Sequence, residues 1–253
     1  MVKIVLDAGH GLHTPGKRSP DGEREWSFNN QVVLACIRKL KSYKGVEILR
    51  VDDPTGERDV PLRERTDRAN HWKADFYVAV HHNAHSGKWG QWSGVETYTY
   101  EHPHANPISV ELAHFIQPRM VRAMGLTDRG VKRANFHVLR ETAMPAILTE
   151  GGFMDSTIDI RALRSVEKLE TQGEAIADGV AAYFGLRESS VGKEAGEKPN
   201  LDERETTPSR WLVKEFQEAV DLGITNGADP RRSATREEVA VMIVRAMKNI
   251  KGW

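Results

Sequence analysis

Short apolar runs recur along the first 186 residues and predict the strands of a sheet. KIVL, VEILRV and FYVAV are short, largely apolar runs, and GVETYTY alternates apolar and polar positions. FHVLR and PAILTE are two further strand candidates. Continuous apolar runs are typical of strands buried on both faces, as in parallel sheets.

Helical spacing of apolar residues separates these runs. The predicted helices cover about residues 27–43, 62–72, 110–124 and 174–184. Gly45 and Gly185 follow the first and last of them as stop signals, and Pro118 predicts a kink or split in the third. Alternation of strands and helices predicts an α/β fold with a twisted, mostly parallel sheet flanked by helices.

The pattern changes after residue 186. Residues 187–207 carry many charges and no aromatic residue, which predicts a charged linker. Residues 208–253 contain two amphipathic stretches, the second starting with a capping box formed by Thr235 and Glu238. We therefore expect a small all-α C-terminal module. A unit of this size buries little surface, so it needs a partner, a second copy or a ligand.

Composition excludes several classes of function. The 253 residues contain 36 Lys and Arg against 36 Asp and Glu, which gives a formal net charge of zero. We therefore expect neither nucleic acid nor a membrane as a partner. The N-terminal apolar run is shorter than that of a signal peptide, so we expect no export signal. The single cysteine, Cys36, lies at helical spacing among apolar residues and is interpreted as a core residue.

Three apolar runs end in residues whose side chains can bind a metal or transfer a proton. His10 lies between two glycines after the first run, a His-His-Asn-Ala-His segment begins at His81, and Glu150 precedes two glycines. Functional groups in α/β sheets gather beyond the carboxyl ends of the strands. We therefore expect His10, a histidine near position 81 and Glu150 to share one cleft.

A catalytic zinc site is one interpretation of this cleft. Such a site has three protein ligands, for example two histidines and a carboxylate, and keeps one position open. Glu23 and Glu25, just before the first long helix, are both candidates for the third ligand; either also suits a carboxylate at a helix N-terminus. Trp26, Trp89 and Trp92 are candidates for substrate contacts or for packing.

Six segments together resemble one known family, and they are spread over residues 1–186 in the same order. They are DAGHG, REWSFNNQVV, LRERTDRAN, AVHHNA, DRGVKRANFHVLR and PAILTEGGFMD. The pattern is similar to that of the zinc-dependent N-acetylmuramoyl-L-alanine amidases of the third amidase family. The resemblance implies a catalytic domain over residues 1–186, Zn2+ as cofactor and bacterial peptidoglycan as substrate. The implied reaction is hydrolysis of the amide between N-acetylmuramic acid and L-alanine.

The resemblance also implies roles for individual residues. The family's metal ligands fall on His10, Glu25 and His81, and its catalytic glutamate falls on Glu150. His82 falls on a variable position of the family pattern. Ala79 stands where the family usually has serine.

The tail resembles one S-layer-homology unit, which implies a secondary cell-wall polymer as its partner. Such units usually occur in threes, and this chain holds one. An amidase with one small wall-binding unit and no signal peptide resembles a bacteriophage endolysin of a Gram-positive host. We therefore expect synthesis in the host cytoplasm and action on the wall after release. A carboxypeptidase-like zinc hydrolase and a non-catalytic wall-binding protein are the alternatives.

Overall fold

The structure is a computed structural model that describes residues 1–102 and 106–189. The chain divides into two units, Met1–Ser190 and Val191–Trp253. The predicted module at 208–253 and nearly all of the predicted linker lie outside the described residues, so the domain boundaries stay predictions. None of the described helices has the length and apolar character needed to cross a membrane.

In the described part of the chain, six strands form one sheet in the order β2-β1-β3-β6-β4-β5. Neighbouring strands are parallel except for β4 and β6, which are antiparallel. The predicted mostly parallel α/β fold is therefore confirmed. The strands are β1 (Val2–Ala8), β2 (Val46–Arg50), β3 (Phe76–Asn83), β4 (Val95–Tyr100), β5 (Asp128–Ala134) and β6 (Ala146–Phe153).

Helices cover both faces of the sheet. They are α1 (Glu25–Leu40), α2 (Leu62–Trp72), α3 (Pro107–Met124), α4 (His137–Arg140), α5 (Ile160–Leu163) and α6 (Val166–Phe184). The larger core lies between the sheet and α1, α3 and α6, and the smaller core lies under α2 and α4. Side chains of β1 alternate between them: Ile4 and Leu6 enter the larger core and Val5 enters the smaller one. Cys36 is fully buried in the larger core, as expected.

Two predicted elements differ from the structure, and one strand was not predicted. The FHVLR segment was expected to be a strand, but it forms the short helix α4 with Phe136 at its N-cap. The strand in this region is instead β5, whose mostly polar sequence pairs on one side only, with β4. Helix α3 is not split at Pro118, because Ile116, Gln117 and Met120 around the proline are buried in the protein. Packing there outweighs the roughly 3 kcal/mol that an internal proline costs.

Candidate metal centre

The candidate residues meet because three neighbouring parallel strands end at one edge of the sheet. Strand β1 pairs with β3, and β3 pairs with β6, so that His81 lies opposite Glu150 in the register. His10 follows the end of β1 by two residues. The expectation that these residues share one cleft agrees with the structure, in which His10, His81 and Glu150 line a cleft of about 260 Å³.

Glu25 brings the fourth group into this cleft. It is the first residue of α1, and its side chain is almost completely buried. One carboxylate oxygen lies 3.0 Å from His81 Nδ1, and the other lies 3.3 Å from His10 Nε2. Glu23, the other candidate for a third ligand, is turned away and pairs with Arg164 and Ser19.

The three groups have the chemistry of a metal site. Within the described ranges, His10, Glu25 and His81 are the one set of three such residues whose ligand atoms all lie within 4.8 Å of one another. Burial alone would raise the pKa of Glu25, but hydrogen bonds and charge from His10 and His81 outweigh it and hold that pKa well below its usual range. Two imidazoles and an ionised carboxylate fit a zinc ion with one open position.

The two positions that flank His10 are glycine because a side chain at either one would meet neighbouring atoms. A Cβ on Gly9 would lie 2.1 Å from His81 Cε1, so the His81 imidazole occupies the space that any other residue would fill. His10 itself has a φ of 68°, the left-handed region that favours glycine. A Cβ on Gly11 would approach the backbone of Gly56 and Asp59 to 3.1 Å. The loop therefore folds tightly enough to bring His10 to His81.

Arg65 supports this strained loop, and we did not predict its role. The guanidinium is buried and donates to the carbonyl oxygens of Ala8 and His10 and to the carboxylate of Asp7. Asp7 also accepts a hydrogen bond from the Tyr77 hydroxyl. The LRERTDRAN segment carried part of the family resemblance, but nothing in its polar sequence shows that Arg65 turns inward from α2.

His82 lies on the opposite side of β3 from His81, because successive side chains of a strand alternate. It is buried, with Nδ1 2.7 Å from Asn29 Oδ1 and Nε2 3.2 Å from Gln172 Oε1. Burial lowers the pKa of His82 to about 4, which makes the ring neutral. Asn29 also donates to the Gly9 carbonyl oxygen, so this buried polar group joins α1 to the loop that carries His10.

Glu150 differs from Glu25 in its surroundings. Its Oε2 atom is buried and has no hydrogen-bond partner among the described residues. Burial, together with the negative charges of Glu25 and Glu96, raises the pKa of Glu150 well above its usual range, and Lys17 opposes this shift. A buried carboxyl group with a raised pKa and a free oxygen beside a metal site can take up and release a proton.

The three candidate tryptophans occupy different positions. Trp26 is buried in the larger core. The Trp92 indole donates to Asp155, and its ring packs against His85 with the centroids 4.6 Å apart. Trp89 keeps 38% of its surface exposed in the loop that follows β3. Trp26 is thus a packing residue, and Trp89 is the most exposed of the three, with the Arg164 guanidinium 5.9 Å from its ring centroid.

Comparison with known proteins identifies the family. Residues 4–182 match the N-acetylmuramoyl-L-alanine amidase family Amidase_3. The chain belongs to this family, whose members cleave the bond between N-acetylmuramic acid and L-alanine in peptidoglycan.

Individual relatives and structures agree with this family. The sporulation-specific N-acetylmuramoyl-L-alanine amidase of Bacillus subtilis is 37% identical over 191 residues, which cover 75% of this chain and 71% of that protein. The endolysin of Bacillus phage SPP1 is 34% identical over 198 residues, or 76% of this chain and 70% of that protein. The catalytic domain of the amidase CwlV from Bacillus (Paenibacillus) polymyxa var. colistinus superimposes with a TM-score of 0.67 at 30% identity, covering 74% of this chain and all of that domain.

Proposed function

We propose that the chain is a zinc-dependent amidase in which His10, Glu25 and His81 hold the metal and Glu150 is the general base. The observation that carries the proposal is the convergence of two imidazoles and an ionised carboxylate within 4.8 Å in the cleft that Glu150 also lines. Neither His82 nor Glu23 belongs to this set, because each side chain is engaged elsewhere.

In this proposal the residues of the cleft have separate roles in hydrolysis of the scissile amide. Zinc supplies Lewis acidity and makes a nucleophile available at neutral pH. Glu25 would supply the one negatively charged ligand beside the two neutral imidazoles, while Arg65 fixes the loop that carries His10. Glu150 takes the proton of the attacking water on its unpaired oxygen and delivers it to the alanine nitrogen as that nitrogen leaves.

Product analysis tests the reaction. The purified chain is incubated with peptidoglycan, and the new termini are identified with and without a chelator. We expect free N-terminal L-alanine, loss of activity on chelation and recovery with added zinc. New carboxyl termini within the stem peptide would instead show a carboxypeptidase-like enzyme, and absence of any product would favour a non-catalytic wall-binding protein.

Metal content tests the ligands separately from the reaction. The His10→Ala and His81→Ala variants should bind less than a tenth of the zinc bound by the unsubstituted chain. His13→Ala is the matched control, because His13 is close in sequence but exposed and paired with Glu57. Full zinc content in His81→Ala, or loss in the His13→Ala control, would contradict the assignment.

We also propose a role in lysis of a Gram-positive host from within, as a bacteriophage endolysin made in the host cytoplasm. The similarity to a phage endolysin and the expected wall-binding tail support this role, while the sporulation-specific relative offers the alternative of a cellular lysis enzyme. The purified chain added to Gram-positive cells should reduce their turbidity. If growing cells resist it and only spore-forming mother cells lyse, the sporulation role is favoured.

A further inference from the structure

The cleft contains one cation that the proposed reaction does not use. Glu25 and Glu150 give it carboxyl groups, and among the described residues that line it Lys17 is the single lysine or arginine. Lys17 is exposed, and its ammonium group forms no hydrogen bond or ion pair within the described part of the chain. Lys17 therefore adds a cation to the lining of a cleft that also holds two carboxyl groups, and this cation is available to a ligand.

The backbone around Lys17 is held in place from several sides. Its carbonyl oxygen accepts a hydrogen bond from the amide of Glu25, 3.1 Å away. Arg164 pairs with Asp21 and Glu23 and so ties the far end of the same loop to the end of α5. The near end is tied by Thr14, which donates to Asp59. The root of the Lys17 side chain is thus fixed beside a proposed metal ligand.

Lys17 shares the cleft with the reacting groups. It lines the same cavity as Glu25, His81 and Glu150. A cation on the wall of the cleft attracts an anionic group of the substrate and fixes where that group lies.

We propose that Lys17 binds a carboxylate of the stem peptide, on the residue that follows the alanine of the scissile amide. This inference rests on the proposed amidase function. The sugar on the other side of the amide is neutral, whereas the second stem residue has an α-carboxyl group that is either free or amidated. Consecutive Cα atoms lie about 3.8 Å apart, so this group is within reach of a lysine on the wall of the same cleft. Lys17 therefore favours stems with the free carboxylate.

Kinetics with two substrates test this assignment. The substrates are N-acetylmuramoyl-tripeptides that differ only in whether the second residue's α-carboxyl group is free or amidated. We expect Lys17→Met to raise KM for the free acid roughly fivefold to tenfold with little change in kcat, and to leave KM for the amide unchanged. Lys17→Arg should keep most of the preference. Arg18→Met is the matched control, because it removes the neighbouring exposed cation, which does not line the cleft.

Other outcomes overturn the assignment. Equal loss of kcat on both substrates in Lys17→Met would show that the charge acts on the reacting carbonyl. Unchanged kinetics, or the same loss in Arg18→Met, would show that Lys17 binds no carboxylate. A calorimetric measurement with the Glu150→Gln variant gives the affinity for both tripeptides without turnover. If the unsubstituted chain cleaves neither substrate, the amidase proposal fails, whereas this binding measurement still reports on Lys17.

Discussion

At the scale of single residues, the proposed metal centre depends on the absence of a side chain at Gly9. The His81 ring occupies the space beside the Gly9 Cα, and the Gly9 carbonyl oxygen accepts a hydrogen bond from Asn29. His10 then adopts a left-handed conformation that Arg65 stabilises by binding its carbonyl oxygen. His10 and His81 are thus positioned by neighbours outside the proposed ligand set, which is a general property of metal sites.

Gly9→Ala tests this dependence. The added Cβ would lie 2.1 Å from His81 Cε1, so the imidazole must move away from Glu25 and His10. We expect zinc affinity to fall at least about tenfold, measured by competition with a chromogenic chelator. Gly45→Ala is the control, since its Cβ would enter open space at a φ of 75°, which costs about 1 kcal/mol of stability and leaves affinity unchanged. Equal affinity in both variants would contradict the placement of His81.

Glu150→Gln tests the general base. The amide has nearly the same shape but cannot take the proton from water, so kcat should fall at least about a hundredfold while zinc content and the free energy of unfolding stay the same. Glu141→Gln, an exposed residue on the surface, should keep full activity. A rate within tenfold of the unsubstituted chain would show that Glu150 is not the base, and loss of zinc would make it a ligand.

At the scale of elements, the Asp155 carboxylate holds the loop between β3 and β4, which lies beside the site. Asp155 is fully buried and accepts hydrogen bonds from the backbone amides of His85, Ser86 and Gly87 and from the Trp92 indole. Residues 84–94 join β3 to β4, and they start directly after the cleft residue Asn83. The loop with Trp89 therefore has a fixed conformation although it lies on the surface.

Asp155→Asn should release this loop. The amide keeps the size but accepts with one oxygen, and its NH2 group would face backbone donors. We expect the free energy of unfolding to fall by about 2–4 kcal/mol and trypsin to cut faster after Lys88. The control is Asp67→Asn, because Asp67 forms an exposed ion pair with Arg63 on α2 and should change stability by less than about 0.5 kcal/mol. An equal cleavage rate in the two variants would show that Asp155 does not hold the loop.

The sequence predicts elements well where burial dictates residue type. Strands β1 and β3 have apolar side chains on both faces, so their runs are visible without a structure. Strand β5 lies at the edge of the sheet and has mostly polar side chains, and its sequence therefore resembles a loop. The candidates His10, Glu150 and the histidines near position 81 were found for the same reason, because they end buried strands, whereas Glu25 and the choice of His81 came from the family resemblance. Arg65, Asn29 and Asp155 were missed because their roles depend on long-range contacts that no local pattern shows.

At the scale of the whole molecule, the last described residues are hydrogen-bonded to the rest of the catalytic unit. Arg187 accepts a hydrogen bond from the Lys44 amide, and the Ser189 amide donates to the Ser42 carbonyl oxygen. These contacts join the chain after α6 to the turn after α1, within the unit Met1–Ser190. A truncation that preserves this unit is therefore best placed at Ser190.

A chain ending at Ser190 tests the predicted role of the tail. If residues 208–253 form a wall-binding module behind a charged linker, the module raises the local concentration of the enzyme at the wall by tethering and contributes nothing to the chemistry. We expect the truncated chain to fold, to bind as much zinc as the full chain and to hydrolyse soluble muropeptides at a similar rate. It should sediment with purified cell walls at least several-fold less and lyse intact cells more slowly. Equal wall binding by both chains, or failure of the truncated chain to fold, would show that the tail belongs to the catalytic unit or to a dimer contact.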